Sequence, residues 1–194
     1  MTSTAETRRQ FLRDFLVQHS LLTGGNVKLS AGGASSFYFD CKKATLNGAF
    51  LCEFADWILD EVAPAISPAP TVVGGPTLGA DFIAAAVTMR AQQRGLPLVN
   101  GCIVRKAAKD HGTQNTIENA PAQGARILVV EDVITSGGSV AHACDALLAA
   151  GYHIAGIVVI IDREAGGRAA LIEKYQTPVH ALFNRADFPE AAAN

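Results

Sequence analysis

The chain has 194 residues, of which 49% are hydrophobic and 18% charged, enough apolar material for a sizeable core and too much for a disordered chain. Its net charge of −2 excludes a general attraction to nucleic acid or to an anionic membrane, so any basic cluster reads as a local site. The cysteines Cys41, Cys52, Cys102 and Cys144 form no C-x-x-C pair, and His142 near Cys144 has no further metal ligands beside it, so buried thiols in a reducing compartment are expected.

Length predicts one domain over residues 1–194. The polar first residues, with Glu6 among them, do not make a signal peptide, and no run approaches the roughly 18 apolar residues of a membrane span. A cytoplasmic protein without membrane or nucleic-acid partners is therefore expected. Phe11 with Phe15, and Leu12 with Leu16, recur at i, i+4 and predict a first amphipathic helix that Gly24-Gly25 brings to an end. Residues 26–40, with their glycines, serines and the aromatics Phe37-Tyr38-Phe39, predict short strands or a hairpin. Leu51, Phe54, Ile58 and Val62 predict a helix over 48–62, stopped by Pro64, Pro68 and Pro70.

From Thr71 onward apolar runs alternate with helical stretches. Strands are predicted at 71–73, 98–104, 126–130, 154–161 and 179–183, and helices at 79–94 and 139–150, the second with Gly151 just past its end. Strands apolar on both faces and separated by helices predict an α/β fold, a central and mostly parallel sheet flanked by helices. Ligands in such folds bind beyond the carboxyl ends of the strands. That rule points to Gly74-Gly75-Pro76, Arg105-Lys106, Glu131-Asp132 and Asp162-Arg163, each following a predicted strand.

The stretch Glu131-Asp132-Val133-Ile134-Thr135-Ser136-Gly137-Gly138-Ser139 carries the most chemistry. Glycines at a helix start let backbone N–H groups face an anion, and the hydroxyls of Thr135, Ser136 and Ser139 add donors. A plain strand-to-helix turn with a serine cap accounts for Thr135–Ser139 equally well by itself. The two carboxylates in front of it favour a ligand with two unlike parts. Neutral sugar hydroxyls, or a hydrated cation, would meet Glu131 and Asp132, and a phosphate would meet the loop.

Two acids after a hydrophobic strand and then a Thr-Ser-Gly-Gly-Ser loop opening a helix resemble the phosphoribosyl-pyrophosphate signature of the type I phosphoribosyltransferases. Arg105-Lys106-Ala107-Ala108-Lys109-Asp110-His111-Gly112 resembles the catalytic loop of the orotate branch of that family, with Arg105, Lys106, Lys109 and His111 at its basic positions. Without the family such a run reads as a solvated stretch of charge. The resemblance implies a lid over about 105–124 that brings cations to a pyrophosphate, with Lys109, His111 and Asp132 the catalytic residues. Residues Glu131 to Ser139 would hold the phosphoribosyl donor. It further implies a homodimer whose active sites are shared between chains.

Arg163, in Asp162-Arg163-Glu164, matches the arginine that receives the orotate carboxylate, and Thr135 the residue beside the pyrimidine. A guanidinium fork suits a planar carboxylate. A surface salt bridge to Glu164 or Glu173 is the plainer account of Arg163. Tyr38 and Phe39 match an aromatic pair in an N-terminal hood over about residues 1–45, with core packing as the alternative. The chain departs from the family at Gly33 and Ser36, and at Gly75-Pro76-Thr77-Leu78-Gly79, where many members carry a lysine. Lys28 is the replacement considered for it.

The resemblance implies transfer of ribose 5-phosphate to orotate, giving orotidine 5′-phosphate and pyrophosphate for pyrimidine nucleotide synthesis. It also implies Mg²⁺ held mainly by substrate and water, without a dedicated set of protein ligands. The alternatives are a purine phosphoribosyltransferase, which a panel of bases separates, and a ligand-sensing regulator of the same fold, which would bind without turnover.

Overall fold

The computed structural model describes residues 4–28, 34–106 and 116–191. The first helix, α1 (Ala5–Phe15), starts earlier than the aromatic spacing predicts, because the Thr4 hydroxyl accepts from the Thr7 N–H and caps it. It continues as a π-helical turn to Ser20. Gly24-Gly25 does not end this region. Both glycines lie inside β1 (Leu21–Lys28), at a register shift between Thr23 and Val27 in its antiparallel pairing with β2 (Ala34–Phe39). A short α2 (Lys42–Thr45) follows, then α3 (Gly48–Trp57), capped by Asn47 and continued by a π turn to Val62.

The remaining elements are β3 (Val72–Pro76), α4 (Gly79–Gln93), β4 (Gly101–Val104), β5 (Ile117–Glu118), β6 (Arg126–Ile134), α5 (Gly138–Ala149), β7 (His153–Asp162), α6 (Gly167–Tyr175) and β8 (Val179–Asn184). The six-stranded sheet has the order β5-β4-β3-β6-β7-β8, with every pairing parallel except β4 with β5. The expected α/β architecture is thus present. β5 and α6 have no counterpart in the predicted elements. β5 lies within the span assigned to a lid. Ile117 is buried, Arg105 donates its N–H to Thr116 O, and the Tyr152 hydroxyl donates to Pro121 O. Residues 116–124 therefore pack back onto the sheet, and only 107–115 of that span lie outside the described residues.

Strand alternation divides the core in two. Leu128 and Val130 of β6, with Val158 and Ile160 of β7, face Leu12, Phe50, Phe54, Ile83 and Val87. Ile127 and Val129, with Ile157 and Val159, face Val140, Cys144, Leu147 and Leu171. Each such fully buried aliphatic side chain contributes about 1.5–3 kcal/mol of transfer free energy. Burial on both faces is why these strands read as unbroken apolar runs. No helix among the described residues is long and apolar enough to cross a membrane.

The N-terminal hairpin is fixed to the far end of the chain. Phe39 packs against Phe188 with ring centroids 4.7 Å apart, and Phe188 against Phe183 at 5.4 Å. From α1, Arg13 pairs with Glu190 at 2.8 Å and Arg9 with Asp187 at 3.1 Å. The hairpin's end is thereby held over the carboxyl edge of the sheet.

Candidate active site

β3 is the switch point of the sheet. The chain leaves it through α4 to β4 on one side, and later returns to place β6 on the other. A cavity of about 520 Å³ opens above the carboxyl ends there. β6 and its loop contribute Glu131, Asp132, Val133, Thr135 and Ser139, and the β4 end contributes Lys106. The segment before α4 contributes Thr77, Leu78 and Gly79, joined by a cis Thr77–Leu78 peptide. The hairpin and α2 supply Tyr38, Phe39, Lys42 and Thr45, and Arg163 comes from the end of β7.

Glu131 is buried, and β6 runs on to Ile134, so the carboxylates sit within the strand rather than beyond its end. Glu131 Oε1 accepts from the Asp132 N–H at 3.1 Å, and Asp132 Oδ1 from the Val133 N–H at 2.8 Å. Burial first, and the neighbouring Asp132 second, push the Glu131 carboxyl up to about 9. Nearby positive charge opposes this shift and favours the ionised form. Lys106 already acts in that direction.

A Cβ on Gly79 would overlap Glu131 Oε1. The absence of a side chain there is what lets the carboxylate lie against the start of α4. A second close approach braces the loop that follows β6. A Cβ on Gly167 would stand 2.5 Å from Thr135 O and 2.8 Å from Gly137 N, and the Gly167 N–H donates to Thr135 O at 3.2 Å. The first turn of α6 thus braces the Thr135–Gly137 backbone. α5 is capped by Gly137 at φ 78°, without a side-chain bond, so the serine-capped turn is not what forms. This leaves the first N–H groups of α5 for a ligand.

Arg163 is half-buried and lines the cavity. Loss of solvent lowers its guanidinium from the ordinary value, and Tyr38 opposes that shift. Its backbone N–H donates to Ile134 O at 2.9 Å, which ties the β7 end to the phosphate loop. Tyr38 is half-buried at the same wall, whereas Phe39 is 3% exposed and packs in the core while still touching the cavity. The core-packing account therefore holds for Phe39.

The structure does not bring every expected residue to the cavity wall. Ile134 turns into the core, Gly137 is buried and Ser136 is exposed to one side. Gly138 lines a smaller cavity of about 230 Å³ that shares Lys106 and Ser139 with the first and adds Pro76 and His142. Arg105 points away, with Nη1 3.4 Å from Glu118. Lys109 and His111 lie outside the described residues, as does the side chain of Lys28. His142 Nε2 lies 3.2 Å from Arg105 O, and Cys144 is buried in the core. Among the described residues no group of three or more His, Cys, Asp or Glu could hold a metal ion.

Lys42, Thr45 and Gly167 escaped sequence reasoning. Two signals were available: a lysine three residues past the strand that carries Tyr38, and a glycine pair one residue after Asp162-Arg163-Glu164.

The fold and this cavity define a phosphoribosyl transferase domain, and residues 53–183 match the family model of that description. The orotate phosphoribosyltransferase of Thermosynechococcus vestitus is 38% identical over 188 residues, covering 95% of this chain and 94% of that protein. The Mycobacterium tuberculosis orotate phosphoribosyltransferase in complex with Fe(III) dicitrate superposes with a TM-score of 0.76 at 32% identity, covering 93% of this chain and 98% of that one. The same enzyme in complex with 5-phospho-α-D-ribosyl 1-diphosphate gives 0.73 at 28% identity, covering 94% and 99%. This chain belongs to the orotate phosphoribosyltransferase family.

Proposed function

We propose that this chain transfers ribose 5-phosphate from 5-phosphoribosyl 1-pyrophosphate to orotate, giving orotidine 5′-phosphate and pyrophosphate in the cytoplasmic synthesis of pyrimidine nucleotides. The observation that carries this reading is one cavity with three unlike walls. It has a carboxylate pair at Glu131-Asp132, of which Glu131 is buried, the two ends of a helix-opening loop at Thr135 and Ser139, and a half-buried Arg163 beside Tyr38.

Each wall suits one part of the substrates. The loop N–H groups and hydroxyls receive the 5-phosphate. Glu131 and Asp132 accept from the ribose hydroxyls. Arg163 receives the orotate carboxylate as a fork, with Tyr38 and Thr135 beside the ring. In the reaction the bond from C1 to the pyrophosphate oxygen breaks, that oxygen keeps the electron pair, and C1 bonds to the base nitrogen, whose proton leaves to solvent. Positive charge grows on the ribose ring, and it favours the ionised form of Glu131 that burial resists. Catalysis is positioning and electrostatics, without a protein nucleophile.

Lys106, with Lys109 and His111 of the following loop, neutralises the leaving pyrophosphate, while Arg105 stands at the start of that loop beside Glu118. Two adjacent carboxylates on a wet cavity are hard donors too few to enclose an ion, which suits Mg²⁺, an ion that keeps water and substrate oxygens as ligands. Bound with the donor, Mg²⁺ supplies positive charge to the pyrophosphate. The working unit is a homodimer in which Lys109 and His111 of one chain serve the other chain's site.

The test is consumption of orotate with the donor and Mg²⁺, run beside adenine, hypoxanthine and uracil. Orotate alone should be consumed. Preference for a purine would overturn the base assignment, and donor binding without any turnover would favour a sensing role.

A further inference from the structure

We propose that Lys42 binds the pyrophosphate of the donor beside the uncharged Thr77–Gly79 segment. This rests on the orotate phosphoribosyltransferase reading. Thr77, Leu78 and Gly79 line the cavity but carry no charge. Lys42, at the first position of α2, lines the same cavity, and α2 packs against α4, which begins at Gly79.

Elimination places the ligand part. The 5-phosphate belongs to the loop at 135–139 and the ribose hydroxyls to Glu131 and Asp132. The base belongs with Arg163 and Tyr38. The substituent leaving C1 then faces the remaining lining, which includes Thr77 to Gly79, Lys42 and Lys106.

The local charges favour a cation there. The turn at Cys41 lies in the field of Asp132, Asp40 and Glu131. Burial first, and then these carboxylates, hold the Cys41 thiol well above its ordinary value, while Lys42 acts against them. A pyrophosphate entering beside these acidic groups is held better with a second cation next to Lys106. Lys42 can answer it, because its pairing with Asp40 is long, 3.9 Å, and its side chain is 56% exposed. An ammonium on a flexible stem in that state can turn to a ligand at little cost.

The experiment titrates Mg²⁺-pyrophosphate by calorimetry into the wild-type chain, Lys42→Met, Lys42→Arg and Asp40→Ala, and measures KM for donor and for orotate in each. Lys42→Met should weaken pyrophosphate and raise KM for the donor about tenfold or more, a loss of the size a charge-assisted contact carries. KM for orotate and the melting temperature should stay unchanged, and Lys42→Arg should restore most of the loss. Unchanged pyrophosphate affinity in Lys42→Met would overturn the proposal. So would an equal loss in Asp40→Ala, which would reduce Lys42 to a brace for the hairpin. A wild-type chain that binds pyrophosphate but leaves orotate unconverted would sink the orotate reading alone, since the titration still decides Lys42.

Discussion

Glu131 occupies the space that any side chain at Gly79 would need. Two residues 52 positions apart in the sequence thus share one volume at the switch point of the sheet, one supplying the carboxylate and the other its absence of bulk.

Gly79→Ala should therefore move the Glu131 carboxylate while leaving the fold in place, because the overlapping atom is the end of a side chain and not backbone. Turnover should fall at least about tenfold, with a melting temperature within about 4 °C of wild type, the shift expected for roughly 1 kcal/mol in a domain of this size. Steady-state kinetics and calorimetry check it. Unaltered turnover would show that the position of Glu131 is not needed.

The raised Glu131 carboxyl makes a prediction about pH. Its folded-state value of about 9 lies above the ordinary glutamate value of 4.5, so between those limits the folded chain binds more protons than the unfolded one. Stability from this group is complete below pH 4.5 and is lost as pH rises toward 9. Glu131→Gln carries no such dependence. The difference in unfolding free energy between the ligand-free variants should grow from pH 5 to pH 9 in favour of Gln, by at most about 1.4 kcal/mol per pH unit. Parallel curves from denaturant titrations would exclude the raised value.

Arg163→Leu should weaken orotate by about tenfold or more and spare the phosphoribosyl donor, because the guanidinium shares its part of the cavity with Tyr38 and suits a planar carboxylate. Separate titrations of the two ligands read this out. An equal fall in both affinities would move Arg163 out of the base site.

Shared sites predict complementation. Lys109→Ala and Asp132→Asn should each abolish most turnover alone. A mixture of the two, unfolded and refolded together, should recover up to about a quarter of wild-type activity if chains pair at random and each site draws on both chains. No recovery would restrict each site to one chain.

Much of the site was legible because it is local. Glu131 to Ser139 is one strand end, one loop and one helix start, and its chemistry follows from residue types in order. Arg163 was legible because a long apolar strand delivers it to the rim. Lys42 was not, since its entry into the cavity depends on the hairpin being anchored through Phe39 and Phe188 at opposite ends of the chain. β5 was not either, since a two-residue strand has no periodicity, and only its pairing with β4 defines it. Gly24-Gly25 misled for a related reason: glycines punctuate a helix and a bulged strand alike, and the partner strand decides which.

The sequence by itself determined the α/β order, the doubly buried strands and the glycine loop that opens α5. These depend on hydrophobic periodicity and local backbone chemistry, which neighbouring residues express together. Only the tertiary structure decided that Gly79 makes room for Glu131, that Gly167 braces the loop from α6, and that Lys42 faces the carboxylates. Close approach between distant segments is a property of packing, and nothing in the spacing of single residues encodes which gap each side chain will fill.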